Sequence, residues 1–233
     1  MELPTIFELL DRLAFLRGMP SVIILLGAAF VAVAATDMRL SVGALLVYTL
    51  MAGLLFVDVL DPRLAVVYTL AGLFVAGILL VTAWQVNWGR PPSGLTADEA
   101  RRLGFGRSRS LGPLSFTNRQ LVRLIAAVAA LGVAVWMTRG SGVVQTTIPE
   151  GVSYLTPAII GLIGLGLAGL AASAEPLPSG VGLLVFLTGF ALFFGFLDQS
   201  LAMTVALVSL QFVVALAVGY LAQARYLPVD ITG

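Results

Sequence analysis

A chain of 233 residues that is 59% apolar and only 11% charged carries more apolar side chain than a soluble fold of its size can hide. Its apolar residues arrive in blocks of about twenty, the length that crosses about 30 Å of hydrocarbon, so the expected fold class is an all-α polytopic membrane bundle. Cysteine and histidine are absent and all 13 basic residues are arginine, which excludes disulfides, thiolate nucleophiles, Cys/His zinc sites, imidazole ligation of haem and lysine Schiff bases.

Residues 1–18 place Ile6, Phe7, Leu9, Leu10, Leu13 and Leu16 on one helical face, with Glu8, Asp11 and Arg12 mostly opposite. That pattern predicts an amphipathic, interfacial helix. Thr5 with Glu8 is a capping box that would open it, and Gly18 with Pro20 would close it. A signal peptide is the competing reading, opposed by the acidic Glu2 and Glu8 and by the lack of an A-x-A cleavage site.

Seven apolar spans follow, at roughly 20–36, 40–60, 63–86, 120–138, 153–174, 178–197 and 200–222. Trp84, Trp88 and Trp136 lie near span ends, where an indole prefers to sit. The turns between spans one and two, two and three, five and six, and six and seven are a few residues long, so those pairs must be antiparallel hairpins. Between spans three and four lies an arginine-rich loop, 87–119, and after span seven a tail, 223–233. If the loop is cytoplasmic, its side holds Arg39, Arg90, Arg101, Arg102, Arg107, Arg109, Arg119, Arg123 and Arg225, against Arg12, Arg17, Arg63 and Arg139 on the other. Nine against four favours an inner-membrane protein with its N-terminus outside and its C-terminus in the cytoplasm.

The stretch from Ser41 through Leu60-Asp61-Pro-Arg-Leu64-Ala65 can be laid on Ser179 through Leu197-Asp198-Gln-Ser-Leu201-Ala202 with a one-residue slip. Residues 20–86 thus form a first three-helix repeat and 153–222 a second. The span at 120–138 links them, and an odd number of crossings makes the repeats parallel.

Burying a charge in mid-span costs at least a few kcal/mol and persists only for a reason, and this sequence has almost none. Asp58, Asp61, Glu175, Asp198 and Arg139 lie at span ends and read as interfacial stops, with Asp58 the deepest and able to face a partner or cavity. Gln211 is the clearest polar side chain inside a span. With Tyr48, Thr49, Tyr68, Thr69 and Thr188 it reads either as hydrogen bonding between helices or as a polar pathway. Ala126, Ala130 and Ala134, and separately Gly164, Ala168 and Ala172, repeat at four-residue spacing and predict close helix packing, with a neighbour in the same chain or another. In the loop, Arg90, Arg101, Arg102, Arg107, Arg109 and Arg119 outnumber Asp98 and Glu99, which points to anionic lipids or an acidic partner surface rather than nucleic acid. Thr96 with Glu99 predicts a short helix to Leu103. Gly104-Phe-Gly106 has neither the preceding strand nor the third glycine of a dinucleotide fingerprint.

In length, short turns and direction, the two triplets resemble the small three-helix NuoK-type subunit of complex I and its duplicated relative in hydrogenase-4 complexes. Asp37-Met-Arg39-Leu-Ser-Val-Gly is similar to the turn opening the second helix in that family. Its pumping members carry glutamates in the second and third helices. The matching stretches here, Leu46 to Leu55, Val66 to Leu79, Leu184 to Phe193 and Thr204 to Val218, contain no carboxylate, so the resemblance implies a scaffold without the proton-carrying residues. The layout also resembles sugar transporters of the SWEET type, whose Pro-Gln turn is absent, Pro62-Arg63 and Pro178-Ser179 being nearest. The expected function is a non-catalytic accessory subunit of a larger, bioenergetic membrane complex, partnered by other integral subunits and anionic lipids. The alternative is a transporter of a neutral or amphiphilic solute. No enzyme activity, cofactor or metal is expected.

Overall fold

Asp37 and Asp61 stand in non-helical backbone just before apolar runs, and each carboxylate accepts the backbone N–H two residues on, at 3.0 Å from Arg39 and 2.8 Å from Arg63. Such caps satisfy donors that a new helix leaves open. Proline in the first turn of three helices, where its missing N–H costs nothing, fixes other starts. The computed structural model describes residues 16–35, 37–89, 109–111, 114–116, 118–139, 152–173 and 175–226.

Among the described residues there are seven α-helices: α1 (Met19–Ala34), α2 (Met38–Phe56), α3 (Pro62–Gln85), α4 (Asn118–Arg139), α5 (Leu155–Ala172), α6 (Pro176–Gly195) and α7 (Leu201–Tyr226). They fall on the seven expected spans. Six of them, α2 to α7, are long and apolar enough to cross a membrane, whereas α1 is apolar but only 16 residues long. Helix α6 starts two residues earlier than expected because Pro176 suits a first turn. Helix α7 runs into what reads from sequence as tail. A feature not expected is a two-stranded hairpin in the loop, β1 (Arg109–Leu111) against β2 (Leu114–Phe116), with Ser110 opposite Ser115. The expected amphipathic helix up to residue 15, the short helix from Thr96 to Leu103, and Arg90, Arg101, Arg102 and Arg107 lie outside the described residues.

Within each triplet the helices pack as consecutive neighbours, α1 on α2 on α3 and α5 on α6 on α7. Between triplets α1 meets α5, α2 meets α6 and α3 meets α7. Exchanging the triplets maps these pairs onto one another, although α1 also touches α6 with no counterpart of that extent between α5 and α2. The paired helices run parallel, because their contacts rise in number together. Leu26 faces Gly161 and Val33 faces Gly169; Val59 faces Gly195; Thr82 faces Gly219 and Gln85 faces Gln223.

The matched turns agree in part: Glu175, standing where Asp37 does, makes no side-chain cap bond, and α7 is capped by Ser200 where α3 is capped by Asp61. Asp198, the partner of Asp61 in the repeated Leu-Asp-x-x-Leu-Ala, also accepts the N–H two residues on, at 2.8 Å from Ser200. Ala35 and Ser173 end α1 and α5 in extended backbone, returning their N–H groups to Val31 and Leu170.

Small residues set the closest approaches. A Cβ on Gly166 would stand 2.6 Å from the Phe186 Cα, and Gly169 meets Gly182, so α5 and α6 touch backbone to backbone. In the first triplet Thr69 fills the space over Gly53 and Thr49 that over Gly72. Helix α4 packs on α5 and, less extensively, on α1. The predicted seams of α4 and α5 meet each other within the chain, with Ala130 Cβ 3.5 Å from where Gly164 would carry its own.

Candidate functional site: a polar cluster between the triplets

A hydroxyl or carboxamide inside an apolar bundle must find a partner there, since no water competes for it. Tyr48 on α2, Tyr68 on α3, Thr188 on α6 and Gln211 on α7 are all buried, and the fold brings these four sequence-predicted residues to one place. The Gln211 carboxamide donates to the Tyr68 hydroxyl at 2.5 Å and to Thr188 Oγ1 at 3.3 Å. The Thr188 hydroxyl donates to the Leu184 carbonyl at 3.1 Å, and Tyr48 reaches the same carbonyl at 3.5 Å. One side chain from each of four helices therefore ties the two triplets together. They border a cavity of about 20 Å³ walled also by Leu45, Ala52 and Val75, room for about one water molecule.

Thr49 and Thr69 do not join helix to helix by hydrogen bonds. Each hydroxyl donates to the carbonyl one turn back in its own helix, Leu45 at 2.8 Å and Ala65 at 2.7 Å, and their contribution across α2 and α3 is shape.

Asp58 lies apart from the cluster, at the end of the bundle where α2 stops. Its carboxylate accepts from Arg17, just before α1, and from the Tyr154 hydroxyl, just before α5, at 2.6 Å. The depth of Asp58 is explained by these partners. Burial first, and the neighbouring carboxylate second, push the Tyr154 phenol above its ordinary range, with Arg17 opposing. Tyr154 therefore remains a hydrogen-bond donor. At the same end Gln199 donates to the Val59 carbonyl at 2.9 Å, fastening the α6–α7 turn to α2.

At the opposite end Arg123, in the second turn of α4, donates to the Val33 carbonyl, and Ser41 donates to the Ala32 carbonyl at 2.6 Å. Both serve carbonyls that the end of α1 leaves open. Arg39 stacks 5.1 Å from the Trp88 ring centre, a cation–π contact that holds the turn after α3, where Asn87 and Trp88 take positive φ of 48° and 58°. Arg109 lies on β1 and Arg119 in the first turn of α4.

Sequence reasoning missed Arg17 and Tyr154 as partners of Asp58, Arg123 as the cap of α1, and the pairing of Gln85 with Gln223 at 2.5 Å. Arg123 gave the one available signal, an arginine inside the start of a span. Among the described residues no group of three or more His, Cys, Asp or Glu could hold a metal ion. Compared with known proteins, the chain matches no family model, no curated protein and no solved structure.

Proposed function

We propose that this chain is a non-catalytic integral subunit of a larger membrane complex, bioenergetic in kind, held in the cytoplasmic membrane with its N-terminus outside and its C-terminus inside. The observation that carries this reading is that the polar groups of the interior are spent on the fold itself. Asp37 and Asp61 cap helices, Asp198 holds Ser200, whose hydroxyl caps α7, Asp58 is held by Arg17 and Tyr154, and Gln211 ties the triplets. A proton carrier needs an ionisable group that changes partner inside the membrane, and the matching helix stretches contain no carboxylate. The resemblance in layout to the NuoK-type subunits supports the bioenergetic setting, and the arginine count the orientation. The loop arginines are assigned to anionic lipids or an acidic subunit surface.

Gentle detergent extraction of native membranes, native-gel separation and mass spectrometry of the band test the proposal. It stands if the chain migrates in a stoichiometric complex with other membrane subunits, and falls if it migrates alone or as a small homo-oligomer.

A second reading, transport of a neutral or amphiphilic solute, is favoured by a different observation. The cluster lies where the two triplets meet, and a further cavity of about 10 Å³ lies toward the Asp198 end, with Tyr68 lining both. Uptake of uncharged solutes into proteoliposomes, lost on substitution of Gln211 and Tyr48, would decide for it.

A further inference from the structure

The two sides of the triplet interface are finished differently. Where α1 meets α5, the linking helix α4 packs over both. Where α3 meets α7 there is no equivalent helix among the described residues, and a groove of about 620 Å³ runs along the outer face of the seam. Phe74 and Tyr220, 66% and 72% exposed, stand as its walls with Ile78 and Leu216. Gly77 and Gly219 lie between them, and no atom lies within 4 Å of where Gly77 would carry a Cβ.

One end of this groove is polar. Gln85, the last residue of α3, and Gln223, three residues before the end of α7, bond carboxamide to carboxamide. That bond uses one donor and one acceptor and leaves the Gln85 NH₂ and the Gln223 carbonyl for other partners. Trp84, 71% exposed beside them, marks the level at which indoles meet headgroups. Among the described residues no ionised side chain lines the groove. It is therefore apolar along its length and a neutral hydrogen-bonding site at the membrane surface, which is the polarity of a lipid lying parallel to the bundle.

We infer that the α3–α7 groove binds a phospholipid of the surrounding bilayer, one acyl chain lying along Gly77 between Phe74 and Tyr220 and the ester and headgroup region meeting Gln85 and Gln223. The volume lies within the range of ligand-holding clefts. A partner helix fits less well. The helix this bundle does accept on a seam, α4, enters on small residues, Ala130 against Gly164, whereas here long side chains stand along both sides and leave a channel suited to a thin, flexible chain. The bound lipid completes the side of the triplet interface that α4 leaves open.

The test is native mass spectrometry of the full chain extracted in mild detergent, comparing wild type with Gly77→Leu and Gly27→Leu. Both glycines are surface helix positions with open space above them, and leucine is the better helix former, so neither variant should fail to fold. The wild type and Gly27→Leu are expected to retain one phospholipid per chain, and Gly77→Leu to retain about tenfold less, because the added side chain occupies the channel. Equal retention in Gly77→Leu and wild type, or a wild type that keeps no phospholipid, overturns the assignment. So does a co-extracted membrane polypeptide that Gly77→Leu displaces while lipid retention is unchanged.

Discussion

Replacing Gln211 with leucine removes both bonds that Gln211 makes, to Tyr68 and to Thr188, while keeping a side chain of similar size. Interhelical hydrogen bonds in membrane proteins average about 0.6 kcal/mol and reach about 1.7, so the two bonds together account for about 1–2 kcal/mol. The substitution also takes from the buried Tyr68 hydroxyl its Gln211 donor and leaves it Thr188 alone, adding up to about 1 kcal/mol, whereas Thr188 keeps its bond to the Leu184 carbonyl. Gln211→Leu is thus expected to cost about 2–3 kcal/mol in all. Tyr68→Phe should cost less, and the pair Gln211→Leu/Tyr68→Phe should cost about 1 kcal/mol less than the sum of the two, because both single substitutions lose the same Gln211–Tyr68 bond. Reversible unfolding in mixed micelles, followed by loss of helical circular dichroism, measures all three. Additive costs, or a Gln211→Leu protein as stable as wild type, would refute the view that this cluster ties the triplets together.

Other substitutions probe the remaining ties. Gly166→Ala drives a methyl into the Phe186 backbone, which cannot rotate away, and should cost at least the ~1–3 kcal/mol of ordinary overpacking, while Gly77→Ala, with nothing to meet, should be neutral or slightly stabilising in the same unfolding assay. Asp61→Ala removes the cap of α3 and should cost about 1 kcal/mol, whereas Asp198→Ala leaves the cap of α7, the Ser200 hydroxyl, in place and loses only the turn bonds to Ser200, so it should cost less; an equal or larger loss at Asp198 would refute this assignment of the caps. Asp58→Asn removes the charge that Arg17 and Tyr154 share and should lower the unfolding midpoint more than Tyr154→Phe does. The folded-state phenol of Tyr154 titrates above its ordinary value, so its contribution is fully present below about pH 10 and is lost as pH rises through the higher folded value. Wild type and Tyr154→Phe should then differ in stability by a constant amount up to about pH 10 and converge only above it.

Spans, short turns and the match between triplets were legible in the sequence because each depends on local patterns, apolar block length and capping residues near a break. The shared Leu-Asp-x-x-Leu-Ala was readable for the same reason, since the role of its aspartate is set within two residues. The membership of the polar cluster could also be read, because a polar side chain in an apolar run has few roles open to it. Its geometry could not. Gln211 and Tyr68 are 143 residues apart, and only packing decides that they meet while Thr49 and Thr69 turn back on their own helices. The α3–α7 groove left no trace in the sequence, because a concavity between two helices depends on how they are placed against each other and has no periodicity of its own.

The lengths of the helices carry a consequence for the surrounding lipid. At about 1.5 Å per residue, α1 and α5, with 16 and 18 residues, reach only about 24 and 27 Å, while α3 and α7, with 24 and 26, reach about 36 and 39 Å. Against a hydrocarbon core of about 30 Å, α1 falls short and α5 barely spans, but α4, with 22 residues and about 33 Å, packs over both and meets the lipid on that flank. The short pair is thus screened by a helix of matching length, and the mismatch is confined to the α3–α7 side, where the bilayer thickens or the long helices tilt. Neighbours of greater hydrophobic length are favoured on that side alone.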